Sequence, residues 1–173
     1  MARWRHWLVV LTLTAAYLTA YYRRYFTIQS EPANWYILLI HMNVGVVVLL
    51  LTIFMLMRRR PSLSPMIKRN NKLALTMYYA LYAMLLLIPT TAYIGTGFDF
   101  PLLNMVRVPG FMRFEFIQTW VNNNFEMLIT TFMEPFSDFH KYIGTTLIMP
   151  VLLLGHIGAA SYHHFFEDKQ HSL

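Results

Sequence analysis

Seven histidines are the residues of this 173-residue chain best suited to chemistry: His6, His41, His140, His156, His163, His164 and His171. There is no cysteine, which removes disulfides, cysteine-held zinc, iron–sulfur clusters and thioether-attached haem and leaves any metal chemistry to imidazole and carboxylate. In a soluble core a histidine is ordinarily a hydrogen-bonded structural residue. Inside a membrane an ionisable side chain is costly and points by default to an ion path, a ligand or a cofactor. What these imidazoles can do therefore depends on the elements that carry them.

Hydrophobic residues make up 57% of the chain and charged residues 13%, against about 45–50% and 25% in a soluble domain. The 14 basic and 8 acidic residues leave a net charge of +6. They lie at the ends of long apolar runs and not along one face, which argues against a nucleic-acid binder. Uncharged runs extend over Trp7–Tyr22, Pro32–Met57, Leu73–Phe98 and Tyr142–Phe166. A span needs about 20 apolar residues at ~1.5 Å each to cross ~30 Å of hydrocarbon. The expectation is an all-α membrane protein, a single four-helix bundle with spans over about 7–26, 35–57, 73–96 and 141–165. Arg3 and Arg5 precede the first run as in a signal peptide, but Tyr21-Tyr22-Arg23-Arg24 at its end offers no small-residue cleavage site, so a retained helix is expected.

Orientation follows from the basic flanks, because Lys and Arg in short loops are held back from translocation. One side carries Arg3, Arg5, Arg58, Arg59, Arg60, Lys68, Arg69, Lys72 and Lys169; the other carries Arg23, Arg24, Arg107, Arg113 and Lys141, together with the acids Glu31, Asp99, Glu115, Glu126, Glu134 and Asp138. Both termini are thus expected in the cytoplasm of a bacterial inner-membrane, multi-pass protein. The outer connection Gly97–Phe139 is too long for a simple turn, and Phe114–Phe132 within it reads as an interfacial helix, interrupted by Asn122-Asn123-Asn124 and too polar for a fifth span.

This topology orders four histidines by depth. His6 opens the first helix on the cytoplasmic side; His41 lies early in the second, near the outer leaflet. His140 precedes the fourth span on the outer side, and His156, sixteen residues on, is about 24 Å deeper. The outcome is an outer pair, His41 with His140, and an inner pair, His6 with His156. Two neutral imidazoles from two helices at one depth are the axial ligand set of a b-type haem. Hydrogen bonding between helices is the structural alternative. A zinc or di-iron site lacks carboxylates in the spans, and a transporter lacks an inverted pair of broken helices. Gly45, four residues after His41, and Gly144, four after His140, share those faces and leave room for a flat plate or for close helix packing. Gly155, Gly158, Ala159 and Ala160 flank His156 similarly.

Taken together, His6-Trp7, His41-Met42-Asn43-Val44-Gly45, Pro89, His140 with Gly144, and Gly155-His156 through Ala159-Ala160 to Tyr162-His163-His164-Phe165-Phe166 and Asp168 resemble the bacterial di-haem cytochrome b561 family over most of the chain. The resemblance implies two haem b groups held by His6, His41, His140 and His156, and electron exchange with the quinone pool. It departs from the family in three places. The two ligands of the last helix are usually fourteen residues apart and here sixteen, which turns them by roughly 160° on an ideal helix; Pro150 between them suggests a kink, a π-bulge or an unwound start at His140. A histidine early in the third helix is Tyr78, and no basic residue precedes Arg58 in the second.

Some family members oxidise superoxide at the outer face and reduce ubiquinone, so a superoxide:ubiquinone oxidoreductase is the implied activity, with lipid, quinone and a small anionic donor as partners and no nucleic acid. Arg23, Arg24, Arg107, Arg113 and Lys141 are the basic candidates for anion attraction, although headgroup anchoring is an equal role. His163, His164 and Asp168 near the cytoplasmic surface are the candidates for quinone, where proton uptake suits histidine. The other readings are a haem-bearing anchor for a dehydrogenase or hydrogenase, docked at the outer connection, and a haem-free structural subunit.

Overall fold

The structure, a computed structural model, describes residues 3–57 and 72–162. Expectations resting on Arg58–Arg60, Lys68, Arg69, His163, His164, Asp168, Lys169 and His171 lie outside the described residues. The elements in chain order are α1 (Arg3–Phe26), α2 (Pro32–Met57), α3 (Lys72–Thr96), a hairpin of β1 (Phe100–Leu102) and β2 (Val106–Val108), a 3-10 turn (Phe111–Arg113), α4 (Glu115–Phe125) and α5 (Ile129–Tyr162). Three of them, α2, α3 and α5, are long and apolar enough to cross a membrane. The protein is mostly helical but not purely so, because the connection after α3 contains the antiparallel hairpin. Its Phe100, Val106 and Val108 favour extended backbone, and Leu103 and Asn104 between the strands both take positive φ (52° and 57°), as a primed hairpin turn requires.

Local chemistry sets the ends of the elements. Pro32 opens α2, where its missing N–H costs nothing. Arg23 and Arg24 occupy the last turn of α1, opposite the negative end of the helix dipole. The interfacial helix expected over Phe114–Phe132 ends at Phe125: Glu126 adopts left-handed backbone (φ 53°) and its N–H caps the Asn122 carbonyl. The asparagines before it are weak helix formers that favour such an end.

The helix bearing the fourth run starts at Ile129, well before the span expected from Lys141, so the connection after α3 is correspondingly shorter. Ile129, Phe132, Met133 and Phe136 recur at helical spacing, and Met133 is buried. His140 consequently sits inside a continuous helix of 34 residues and not at its start.

Helix α1 packs on α2, α2 on α3, and α3 on α5. Small residues permit the last approach: a Cβ built on Gly95 would lie 2.6 Å from the backbone nitrogen of Ser137. The Tyr17 hydroxyl closes the ring by donating to the Thr145 carbonyl at 2.8 Å. Val48, Met84, Leu85 and Met149 form the buried centre, with Val9, Leu13, Leu81 and Leu152 against it. All four long helices contribute to this apolar layer, and the four histidines flank it in sequence on α1, α2 and α5.

Candidate functional site: two histidine pairs

His41 and His140 face each other with ring centroids 6.1 Å apart, and His6 and His156 do so at the same 6.1 Å. For imidazoles meeting nitrogen to nitrogen, a direct N–H···N bond gives a separation of about 5.2 Å. A metal atom held by two bonds of about 2.0–2.1 Å gives roughly 6.3 Å. The observed spacing fits the second arrangement. Among the described residues no three His, Asp or Glu side chains gather, so each pair there consists of two imidazoles without a third such donor.

The outer pair is oriented by backbone. His41 Nδ1 lies 3.0 Å from the Ala16 carbonyl and 3.2 Å from Thr19 Oγ1; the Thr19 hydroxyl itself donates to Ala15 and Ala16. His140 Nδ1 lies 3.0 Å from the Ile88 carbonyl. A carbonyl only accepts, so each Nδ1 carries the proton and each Nε2 keeps its lone pair for a ligand-binding role. Approach to the α1 backbone requires small residues, which Ala15, Ala16 and Thr19 provide. The Ile88 carbonyl stands next to Pro89, where the missing N–H loosens the helix. Neither second-layer contact was anticipated from sequence. The Ala-Ala and Ile-Pro steps were the available signals, but both partners are distant in sequence.

The sixteen-residue spacing is met by a change of helix type. Phe139–Ile148 is a π-helix, and the Met149 N–H bonds the Gly144 carbonyl five residues back. A π turn advances roughly 82° and 1.15 Å per residue against about 100° and 1.5 Å in the α form. Nine π steps and seven α steps bring His156 round by about four full turns, onto the face of His140. Thr145 and Thr146 hydroxyls follow the wider register, donating to the carbonyls of His140 at 2.6 Å and Lys141 at 2.8 Å. Pro150 has no N–H to offer Thr145 in that register, and the Tyr17 hydroxyl takes its place.

The glycines divide. A Cβ on Gly45 would meet nothing within 4 Å, while one on Gly144 would lie 3.1 Å from Ile88 and Phe139. Gly45 faces open space beside His41; Gly144 makes room for protein packing. Gly158 is likewise open, and Gly155 lies against Met77. The inner pair is more exposed than the outer one. Beside it, Arg5 Nε is buried with no hydrogen-bond partner among the described residues, a cation suited to a buried carboxylate. Tyr78 packs on Tyr82 with ring centroids 4.8 Å apart.

Of the basic candidates for anion attraction, Arg113 is bonded to Asp99 at 2.7 Å. Arg23 donates to Asn34, Arg24 lies over Tyr25, and Lys141 is exposed beside His140.

Neither the curated proteins nor the solved structures yield a match to the chain. The family model described as prokaryotic cytochrome b561 matches residues 1–172. With that match running the length of the sequence, the chain belongs to the prokaryotic cytochrome b561 family, whose members bind haem b and carry electrons within the bacterial membrane.

Proposed function

We propose that the chain is a two-haem transmembrane electron carrier in the inner membrane, with His41 and His140 holding one haem b and His6 and His156 the other. The carrying observation is the repeated 6.1 Å separation, once at each end of the apolar layer. A haem b held by these imidazoles would supply one-electron, outer-sphere transfer. The residues contribute position and exclusion. Ala16 and Ile88 carbonyls fix the tautomer of the outer imidazoles. Gly45 leaves space beside them for a flat ring, and Arg5 offers its unpaired Nε–H to a porphyrin carboxylate. Val48, Met84, Leu85 and Met149 keep water out between the pairs.

In this reading α1 is the fourth span, with both termini cytoplasmic. Trp4, Leu11, Leu18 and Tyr25 recur every seven residues as an exposed stripe, each 59–65% accessible, aromatic at the two ends and aliphatic between, as a lipid-facing helix should be. The proposed net reaction is superoxide:ubiquinone oxidoreduction: two superoxide anions leave as two dioxygen molecules while one ubiquinone takes up two electrons and two protons. Lys141 beside His140, with Arg23 and Arg24, supplies the local positive charge that attracts the anion. His163, His164 and Asp168 are the proposed cytoplasmic proton and quinone contacts.

The test is haem stoichiometry in purified protein, followed by quinone reduction driven by superoxide. Two haems per chain are expected, falling to one in each of His6→Ala, His41→Ala, His140→Ala and His156→Ala, with the same haem lost by both members of a pair. Intact haem with no superoxide-driven quinone reduction would move the assignment to a haem-bearing anchor of a dehydrogenase or hydrogenase. Absence of haem would end the redox reading.

A further inference from the structure

The β1–β2 hairpin plays no part in that reading, yet its placement is sharply fixed. Phe98, just before β1, packs on Trp35 with centroids 5.5 Å apart. At the tip, the Leu103 N–H donates to Asn43 Oδ1 at 2.7 Å. Trp35 and Asn43 are eight residues apart on α2, so the tip lies about 12 Å below Trp35 along that helix. The five residues from Phe98 to Leu103, extended, cover roughly 16 Å, enough for this descent at a slant. Helix α2 is long and apolar enough to cross a membrane, and Trp35 stands in its first turn, where interfacial tryptophans sit. The hairpin therefore runs back from the surface along a membrane-crossing helix.

Its composition suits that depth. Three of the four tip residues, Leu103, Met105 and Val106, are apolar and 65%, 85% and 62% exposed; the fourth, Asn104, is also exposed and occupies a positive-φ turn position that asparagine tolerates. Backbone at such depth must find partners within the protein. Pro101 has no N–H, and its carbonyl accepts from Asn43 Nδ2 at 3.1 Å. The Met105 N–H returns to the Leu102 carbonyl at 3.0 Å. Asn43 thus pairs off the α2-facing edge of β1 with one side chain. Arg107, the charged residue of the hairpin, sits on the returning strand near enough to Asp99 to favour its ionised form, as a long basic side chain reaching for the surface does.

We infer that β1–β2 is a re-entrant hairpin whose tip, Leu103 to Val106, is sunk among the lipid acyl chains of the leaflet next to Trp35. The partner of this surface is lipid, continuous with the lipid-facing side of α2. The inference needs α2 to cross the membrane but not the haem assignment, and its test reads neither haem nor activity.

The chain has no cysteine, so Met105→Cys and Val106→Cys each introduce a single thiol, with Ser30→Cys in the exposed α1–α2 turn as the aqueous reference. In proteoliposomes, a membrane-impermeant maleimide should label the two tip thiols roughly tenfold or more slowly than the reference, because water and charge are excluded at that depth. Nitroxides at the same tip positions should be relaxed more by dissolved oxygen than by a water-soluble nickel chelate. Asn43→Ala should restore labelling of Met105→Cys toward the reference rate by freeing the tip. Labelling at the reference rate in otherwise native Met105→Cys and Val106→Cys would place the tip in water and overturn the inference. Strong spin coupling between copies, with oxygen excluded, would overturn it in favour of a second copy of the chain as the partner.

Discussion

Shortening the π segment of α5 should have a non-monotonic effect on haem binding. In the native chain His140 and His156 are separated by about four full turns and a rise of about 21 Å, given the π and α steps. Deleting Thr146 and closing the helix as α leaves fifteen steps, which end about 60° off and 22.5 Å along. For an imidazole carried about 6 Å from the axis, that rotation displaces the ring by about 6 Å, a shift the helix can absorb only by rotating or bending. Deleting both Thr146 and Leu147 leaves fourteen steps, about 40° off on the other side with a rise of 21 Å, a smaller error at the native height. The double deletion should therefore retain more haem than the single one. Haem stoichiometry from the reduced spectrum, normalised to protein, is the assay. Equal retention in both variants, or a steady decline with each residue removed, would refute the claim that the π register aligns the two pairs.

The two glycine classes should separate in the same assay: Gly95→Ala, whose Cβ would sit 2.6 Å from Ser137 backbone, should push α3 from α5 and lower both thermal stability and haem content, whereas Gly45→Ala, whose Cβ meets no protein atom within 4 Å, should leave helix packing and haem-free stability unchanged and lower haem content alone. Asn34 is 6% exposed and joins Arg23 to Thr27, so Asn34→Ala, which leaves the half-buried Arg23 Nε–H without its acceptor, should cost about 1 kcal/mol in detergent unfolding. The Asp99 carboxyl is held below its ordinary value of 3.8 by the Gly110 N–H, then by Arg113 and Arg107. A lowered value means stability present above 3.8 and lost as pH falls further, so hydrogen exchange of the Gly97–Arg113 segment, corrected for intrinsic rate, should stay flat from pH 7 to 5 and rise below about pH 3.8. Asp99→Asn should show the raised exchange at every pH; unchanged protection in that variant would remove the carboxylate from the account.

The sequence alone determined that α2, α3 and the helix of the fourth run are apolar enough for lipid, and which imidazoles come together. Run length, charge placement and a fixed rise per residue are additive along one dimension, so His41 and His140, or His6 and His156, could be matched before any contact was known. The family was also legible, because its motif residues are local. Tertiary structure decided the rest. The spacing of His140 and His156 with Pro150 between them left a kink, a π-bulge or an unwound start open, and the structure selects π winding over Phe139–Ile148, with the Thr145 carbonyl taken by Tyr17 from 128 residues away; the His41 and His140 tautomers rest on carbonyls of Ala16 and Ile88 on other helices. The early start of α5 and the hairpin against Asn43 have the same origin. Short segments such as Phe100–Val108 have too little intrinsic preference to specify a fold, and they take the conformation that satisfies their backbone against a helix distant in sequence.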